Sequence, residues 1–165
     1  MLYLTQNEKD YADKHIEPAN LQDKWLQALR SKKYWNKKGK DGTLKNHRQK
    51  TYCALGVLID ITPHPYGKSR NFSFVDDYVL YASGLFDCVG TSRFTNPAQS
   101  KRLVPKNSIV YLNDVENKSF KEIEEYITSV GKDRYFYKKG RDTLKISIKK
   151  DENKLRGRKP EVNRV

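Results

Sequence analysis

The sequence predicts a small α+β domain of three to four helices, closed by a C-terminal β-hairpin, with room for a short hairpin nearer the N-terminus. Three observations lead there. Apolar residues recur at helical spacing behind capping signals, the pattern changes to alternation after residue 134, and 165 residues suit one real core but not two. Residues 1–150 are read as a single compact domain and 151–165 as a basic, flexible tail.

Asn20 with Asp23 three residues on makes a capping arrangement, and Leu21, Trp25, Ala28 and Leu29 then share one face, which predicts a helix over 21–34. The other face carries Lys24, Gln27 and Arg30. Lys32, Lys33, Lys37 and Lys38 crowd the end where the helix dipole favours cations. Residues 36–50 are polar and basic, and Asp41-Gly42 predicts a tight turn between two short strands, with Leu44 pinning the return arm.

Residues 51–59 form the most apolar run, too brief for periodicity to choose between helix and buried strand. A helix is favoured, with Gly56 allowing another element to approach closely. Pro63 and Pro65 make residues 60–67 irregular. Ser73 and Asp76 form a second capping box ahead of Val75, Tyr78, Val79 and Ala82, predicting a helix over 74–83 closed by Gly84. Residues 85–106, with Gly90, Asn96-Pro97 and Pro105, read as a long loop. Ser119 and Glu122 then open a helix with Phe120, Ile123, Ile127 and Val130 inward, ending at Gly131. Tyr135 and Tyr137 alternate before residues 138–142, and Leu144, Ile146 and Ile148 alternate after them, which predicts a hairpin over 134–149.

Charge is distributed regionally. Residues 24–50 carry about +9 and residues 132–165 about +8, while residues 1–23 and 51–131 are slightly acidic, within a formal net charge of +13. An anionic partner is the natural expectation. Aromatic residues interleave with the cations in both blocks, so phosphates could be met by charge and bases by stacking. The candidate anion-binding residues are Arg30, Lys32, Lys33, Tyr34, Trp35, Lys37, Lys38 and Arg48 in the first block, and Arg134, Lys138, Lys139 and Arg141 in the second. Tyr34 or Trp35 is the stacking candidate if exposed. The competing structural account has both aromatics roofing the core while lysines on a solvated face and a sheet edge keep the protein soluble.

Catalytic chemistry has weaker material. His15, His47, His64, Cys53 and Cys88 lack the short spacings of structural zinc sites, and both cysteines read as reduced and buried. Asp76 and Glu122 already serve as caps. Adjacent Asp76 and Asp77 cannot share a helix face, so a carboxylate pair would have to come from different elements; Asp114 and Glu116 remain candidates, while Glu124 and Glu125 are expected on an outer helix face. No Gly-x-Ser-x-Gly, His-Glu-x-x-His or phosphate-binding Gly-Lys loop occurs. The expectation is therefore a non-enzyme without cofactor or metal. No apolar run reaches the roughly 18–20 residues of a membrane span, and Met1-Leu2-Tyr3-Leu4 lacks a signal peptide's basic start and apolar stretch. A soluble cytosolic protein without membrane partners is expected.

Three motifs occur in a fixed order: Trp25-Leu26-Gln27-Ala28-Leu29-Arg30-Ser31 followed by Tyr34; Tyr52-Cys53-Ala54-Leu55-Gly56-Val57-Leu58; and Leu112-Asn113-Asp114 with Ser119-Phe120-Lys121-Glu122-Ile123. Together they resemble a widespread group of small, mostly uncharacterised proteins encoded by bacteriophages and prophages. The chain departs from that group at Ala54, where a second cysteine is common, and at Lys32, where glycine often stands, as well as in its heavy basic charge. The resemblance implies a shared core of Trp25, Leu29, Leu55, Leu58, Phe120 and Ile123, with Asn113-Asp114 capping a turn. It also implies an accessory role in the cytoplasm of an infected bacterial host, interfering with host machinery or defence. Three kinds of partner follow: nucleic acid or nucleotide phosphate, a host protein met by a protein–protein antagonist or structural accessory protein, or a small nucleotide held by a sponge with Arg30, Tyr34 and Arg93 pointing into a pocket.

Overall fold

The computed structural model describes residues 1–35, 37–38, 45–46, 50–67, 75–87, 90, 106–137 and 140–149. Along the chain these carry β1 (Leu2–Thr5), α1 (Gln6–His15), α2 (Pro18–Arg30), β2 (Lys45–Asn46), β3 (Thr51–Tyr52), α3 (Ala54–Ile61), α4 (Asp77–Ser83), a π-helical segment (Tyr111–Val115), α5 (Phe120–Val130) and β4 (Ile146–Lys149). Short 3-10 turns span Lys132–Arg134 and Gly140–Thr143.

Each helix begins for a local reason. At α1, Thr5 accepts from the Glu8 backbone N–H while Glu8 reaches back to the Thr5 N–H, a complete capping box. Pro18 occupies the opening of α2, where its missing N–H costs nothing. Cys53 caps α3 with its sulfur, and Asp76 caps α4 by accepting from Val79 N–H at 2.8 Å. Gly84 closes α4 in the left-handed region at φ 72°, a conformation that favours glycine. Ser119 and Glu122 form the second complete box, at α5.

α2 is the hub, packed against α3, α4 and α5. Its Trp25 is fully buried and meets Phe136 edge-on, with ring centroids 5.8 Å apart. The indole N–H donates to the Ala54 carbonyl at 2.8 Å, and the Ala54 N–H donates to Asn113 Oδ1 at 3.2 Å. The two peptide groups flanking Ala54, at the start of α3, are thus held by side chains from α2 and from the π-helical segment. Trp25, Leu29, Leu55, Leu58, Phe120 and Ile123 all lie in the core.

The fold class needs correction at its edges. Among the described residues there are five α-helices and a π-helical segment, not three to four helices, and no C-terminal hairpin forms. β4 instead pairs in parallel with β1, in the register Leu2↔Ile146 through Thr5↔Lys149. Alternation at residues 144–148 signals a strand but does not name its partner, and the N-terminal Leu2 and Leu4 supply one. The expected first arm has no alternation of burial, since neighbours Tyr135 and Phe136 are both buried. It runs beside residues 84–86, with Phe86 N–H donating to Tyr135 and Tyr137 N–H to Gly84.

β2 pairs with β3 in antiparallel register, Lys45↔Tyr52 and Asn46↔Thr51, and the expected turn at Asp41-Gly42 lies outside the described residues along with Leu44. α2 starts at Pro18 rather than beside an Asn20 cap and stops at Arg30, because Ser31 turns extended and its hydroxyl bonds back to the Ala28 carbonyl. α1 was not anticipated because only Ala12 on it is buried, leaving no apolar stripe to read. Ser73, most of residues 85–106 and the tail at 151–165 lie outside the described residues.

Two predictions follow from this packing. Asn113→Ala leaves the Ala54 N–H buried without an acceptor and should lower unfolding stability by about 1–3 kcal/mol in urea titrations. A double-mutant cycle with Trp25→Phe should be non-additive, since both side chains fix the backbone of the same residue. Second, burial pushes the Cys53 thiol from its ordinary 9.0 up to about 12, and burial likewise raises the phenols of Tyr34, Tyr52, Tyr78, Tyr81 and Tyr135. The native chain holds protons there that the unfolded chain releases. Stability should therefore be intact below about pH 9 and decline as pH rises toward about 12. A urea midpoint that stays flat over that range would contradict it.

Candidate nucleic-acid interface

The first basic block is laid out by the turn that ends α2. Tyr34 N–H and Trp35 N–H both donate to the Ser31 carbonyl at 3.1 Å, Lys37 N–H donates to the Tyr34 carbonyl at 2.9 Å, and Tyr52 N–H donates to Lys37 at 2.7 Å. The turn is therefore stapled at one end to α2 and at the other to β3. Within it the two adjacent aromatics point in opposite directions. Tyr34 is buried at 2% exposure, while Trp35 is 66% exposed.

Tyr34 is the anchor. Its hydroxyl donates to Asp60 Oδ2 at 2.5 Å, and its ring meets Tyr52 edge-on with centroids 5.2 Å apart. Burial first, then the hydrogen bond and charge of Asp60, hold the phenol above its usual range, so it stays a donor. Lys33 Nζ lies 4.7 Å from the ring centroid and 3.7 Å from Asp60, with most of its side chain in solvent. Lys32 is exposed, Lys37 is half-buried, and Lys38 Nζ donates to Asn117 Oδ1 at 2.9 Å. Arg30 faces the other way and bonds the buried carboxylate of Glu124 on α5.

The described cations of the second block do not join this turn. Lys132 pairs with Asp23. Asp23 lies seven residues before Arg30 on α2, a rise of about 10 Å. Arg134 is exposed on the same 3-10 turn as Lys132. Arg141 donates to Asp13 Oδ1 at 2.9 Å and to the Ile16 carbonyl, while its guanidinium carbon lies 5.2 Å from the Tyr81 ring centroid. Tyr81 hydroxyl also donates to Asp13, at 2.7 Å. Burial opposes ionisation of that carboxyl, but hydrogen bonds from Lys9, Tyr81 and Arg141 hold it below the usual range. Arg48, Lys138 and Lys139 lie outside the described residues.

Stacking on Tyr34 is excluded by its burial, which leaves Trp35 as the aromatic in reach of a ligand. The nucleotide sponge loses its geometry: Tyr34 is inside the core, Arg30 is engaged with Glu124, and Arg93 is outside the described residues. A cleft of about 180 Å³ does open between the α1–α2 junction and the end of α3, lined by His15, Glu17, Asn20, Lys24, Ile61 and Pro63. It is smaller than the roughly 300–1,000 Å³ usual for a ligand of drug size.

Three polar residues take roles other than those the sequence suggests. Glu124 was assigned to an outer face, yet Phe120, Ile123, Glu124 and Ile127 form one buried stripe, and that spacing was visible in the sequence. Asp60 closes an apolar run and receives the Tyr34 hydroxyl. Asn113 holds the α3 start. The other candidate carboxylates have structural partners: Asp77 accepts from Tyr3 N–H, Asp114 from Asn113, Glu116 pairs with Lys118 and Glu125 with Lys121. Among the described residues no group of three or more His, Cys, Asp or Glu is placed to hold a metal ion, and no helix is long and apolar enough to cross a membrane.

Compared with known proteins, the chain matches no family model, no curated protein and no solved structure.

The position of Arg141 separates structure from binding. Arg141→Ala removes charge-assisted bonds to Asp13 and Ile16, each type being worth roughly 1.5–3 kcal/mol. The variant should lose stability on that order in thermal or urea unfolding, with polyanion affinity changed no more than one lost charge requires. A variant of wild-type stability with affinity collapsed would return Arg141 to the interface.

Proposed function

We propose that this protein binds single-stranded nucleic acid through the turn after α2, with Trp35 stacking on a base and Lys32, Lys33 and Lys37 attending the phosphates. The observation that carries the reading is the exposed Trp35 on a turn fixed from both ends, amid cations. Aromatic stacking suits any base, because every base has a π-face. A single-stranded partner fits better than a duplex, whose bases are already stacked and whose grooves ask for an inserted helix or ribbon. Net charge of +13 adds long-range attraction to any polyanion without sequence preference.

The setting we propose is an accessory protein of a phage or prophage, acting in the cytoplasm of an infected bacterium. Its support is the ordered set of three motifs, which also supply Trp25, Ala54 and Asn113, the residues that meet at the start of α3. Occupying host nucleic acid would then interfere with host machinery or defence.

The test is an affinity titration with labelled single-stranded DNA, duplex DNA and RNA at low and moderate salt. Binding should fall steeply with salt. Trp35→Ala should weaken single-strand binding by about 1–3 kcal/mol while leaving the unfolding midpoint unchanged. Because Trp25 is buried, tryptophan emission quenched on binding reports Trp35. No binding at low salt, or Trp35→Ala binding as tightly as the parent, would sink the proposal.

A further inference from the structure

The two-stranded sheet has one closed edge and one open edge. In the β1–β4 register, Leu2 N–H donates to the Lys145 carbonyl, so Leu2 and Leu4 turn their backbone groups toward β4, while Tyr3 and Thr5 turn theirs outward. Both outward N–H groups of β1 are capped by carboxylates. Tyr3 N–H donates to Asp77 and Thr5 N–H to Glu8, each at 2.8 Å. On β4 the same register points Lys145, Ser147 and Lys149 inward along the ladder and leaves the N–H and C=O of Ile146 and Ile148 facing out. Among the described residues nothing pairs with them.

Side chains sharpen the contrast. Ile148 shares its sheet face with Leu4, which is fully buried, yet Ile148 is 44% exposed. An apolar side chain on the core face is thus left uncovered at the strand that also has the open edge. Lys145 and Lys149 are exposed on either side of it, and Lys149 Nζ reaches within 5.8 Å of the exposed Tyr3 ring. An edge bearing unpaired donors and an uncovered isoleucine is a template for an added strand, and the flanking lysines, which deter neutral or basic strands, restrict it to an acidic one.

We propose that the outer edge of β4 docks an extended acidic segment of a partner protein by adding it as a third strand. Charge selects among occupants. A second copy of the chain would set Lys145 and Lys149 against the same lysines, and like charges opposed across strands are unfavourable. The chain's own residues 150–165 carry six Lys or Arg against three acids and meet the same repulsion. A strand with acidic side chains beside its main-chain bonds meets complementary charge and covers Ile148. This reading is independent of the turn bearing Trp35.

The probe is a capped peptide of about six residues, the usual strand length, alternating Val or Thr with Glu. It is titrated into isotope-labelled full-length protein and followed by backbone amide shifts. The expected result is saturable shifts centred on Ile146 and Ile148, weakened by salt, and absent for the same peptide with Lys in place of Glu. Ile148→Pro removes an outward donor while keeping the inward ladder, a placement edge strands tolerate. It should weaken binding about fivefold to tenfold, the effect of one lost main-chain hydrogen bond, with the Leu2 and Leu4 amide shifts retained. If that variant does not fold, Lys145→Glu with Lys149→Glu replaces it and should exchange the preference to the Lys peptide. Trp35→Ala should bind the Glu peptide as the parent does. The proposal is overturned if the Glu peptide leaves residues 146–149 unmoved, if these amides shift instead with protein concentration as a second copy pairs, or if deleting residues 150–165 uncovers amides previously protected from exchange.

Discussion

The backbone of Ala54 is the constraint on which the rest of the structure depends. Its carbonyl takes the Trp25 indole N–H, and its N–H goes to Asn113. The first N–H groups of any helix lack intrahelical partners, and in the core no water can supply them. Here one side chain from a distant segment satisfies such a group, while Cys53 sulfur accepts from Gly56 N–H in the same turn. The arrangement fixes α3 against α2 and against the π-helical segment at once. Elements far apart in the chain are joined through the backbone of one residue, so the three motifs form a single structural unit rather than three separate ones.

Charge has a comparable division of labour. Residues 1–23 are acidic and residues 132–165 basic, and the described contacts join them: Asp13 with Arg141 and Asp23 with Lys132. Arg141 is nearly buried and bonded to two elements, a geometry in which removing one partner costs far more than the pair contributes. Lys132 and Asp23 sit nearer solvent, where an ion pair is worth less. Cations of the second block thus help to close the N- and C-terminal segments onto each other.

Where one local signal determines an element, that element was legible. Ser119 with Glu122 and the stripe from Phe120 defined α5, Gly84 marked the end of α4 although the helix starts behind an Asp76 cap rather than at residue 74 behind Ser73, and the Trp25 face defined most of α2. Thr5 with Glu8 was an equally good signal for α1, but a polar helix with one buried residue offers no periodicity to support it. Strand pairing was not legible, because alternation is a property of one strand and pairing a property of two. The parallel partner of β4 lies at the other end of the chain, so no local pattern could select it. At the proposed interface, composition singled out Tyr34 and Trp35 together but could not separate them. Their opposite fates depend on Asp60, a residue whose role only the folded arrangement reveals.

That separation bears on binding energetics. An exposed indole forgoes the stabilisation that burying such a side chain ordinarily brings, so the turn is not held in place by Trp35. It is held by Tyr34 in the core, by Ser31 at the helix end and by the Lys37–Tyr52 bond. Rigid backbone under a mobile ligand removes part of the ordering cost that a flexible loop would incur on binding. Tryptophan has only two side-chain torsions to fix, and Lys33 beside it is already drawn toward Asp60 and the Tyr34 ring. The division between a buried tyrosine that fixes the backbone and an exposed tryptophan that does not therefore allows Trp35 to be changed without altering the fold.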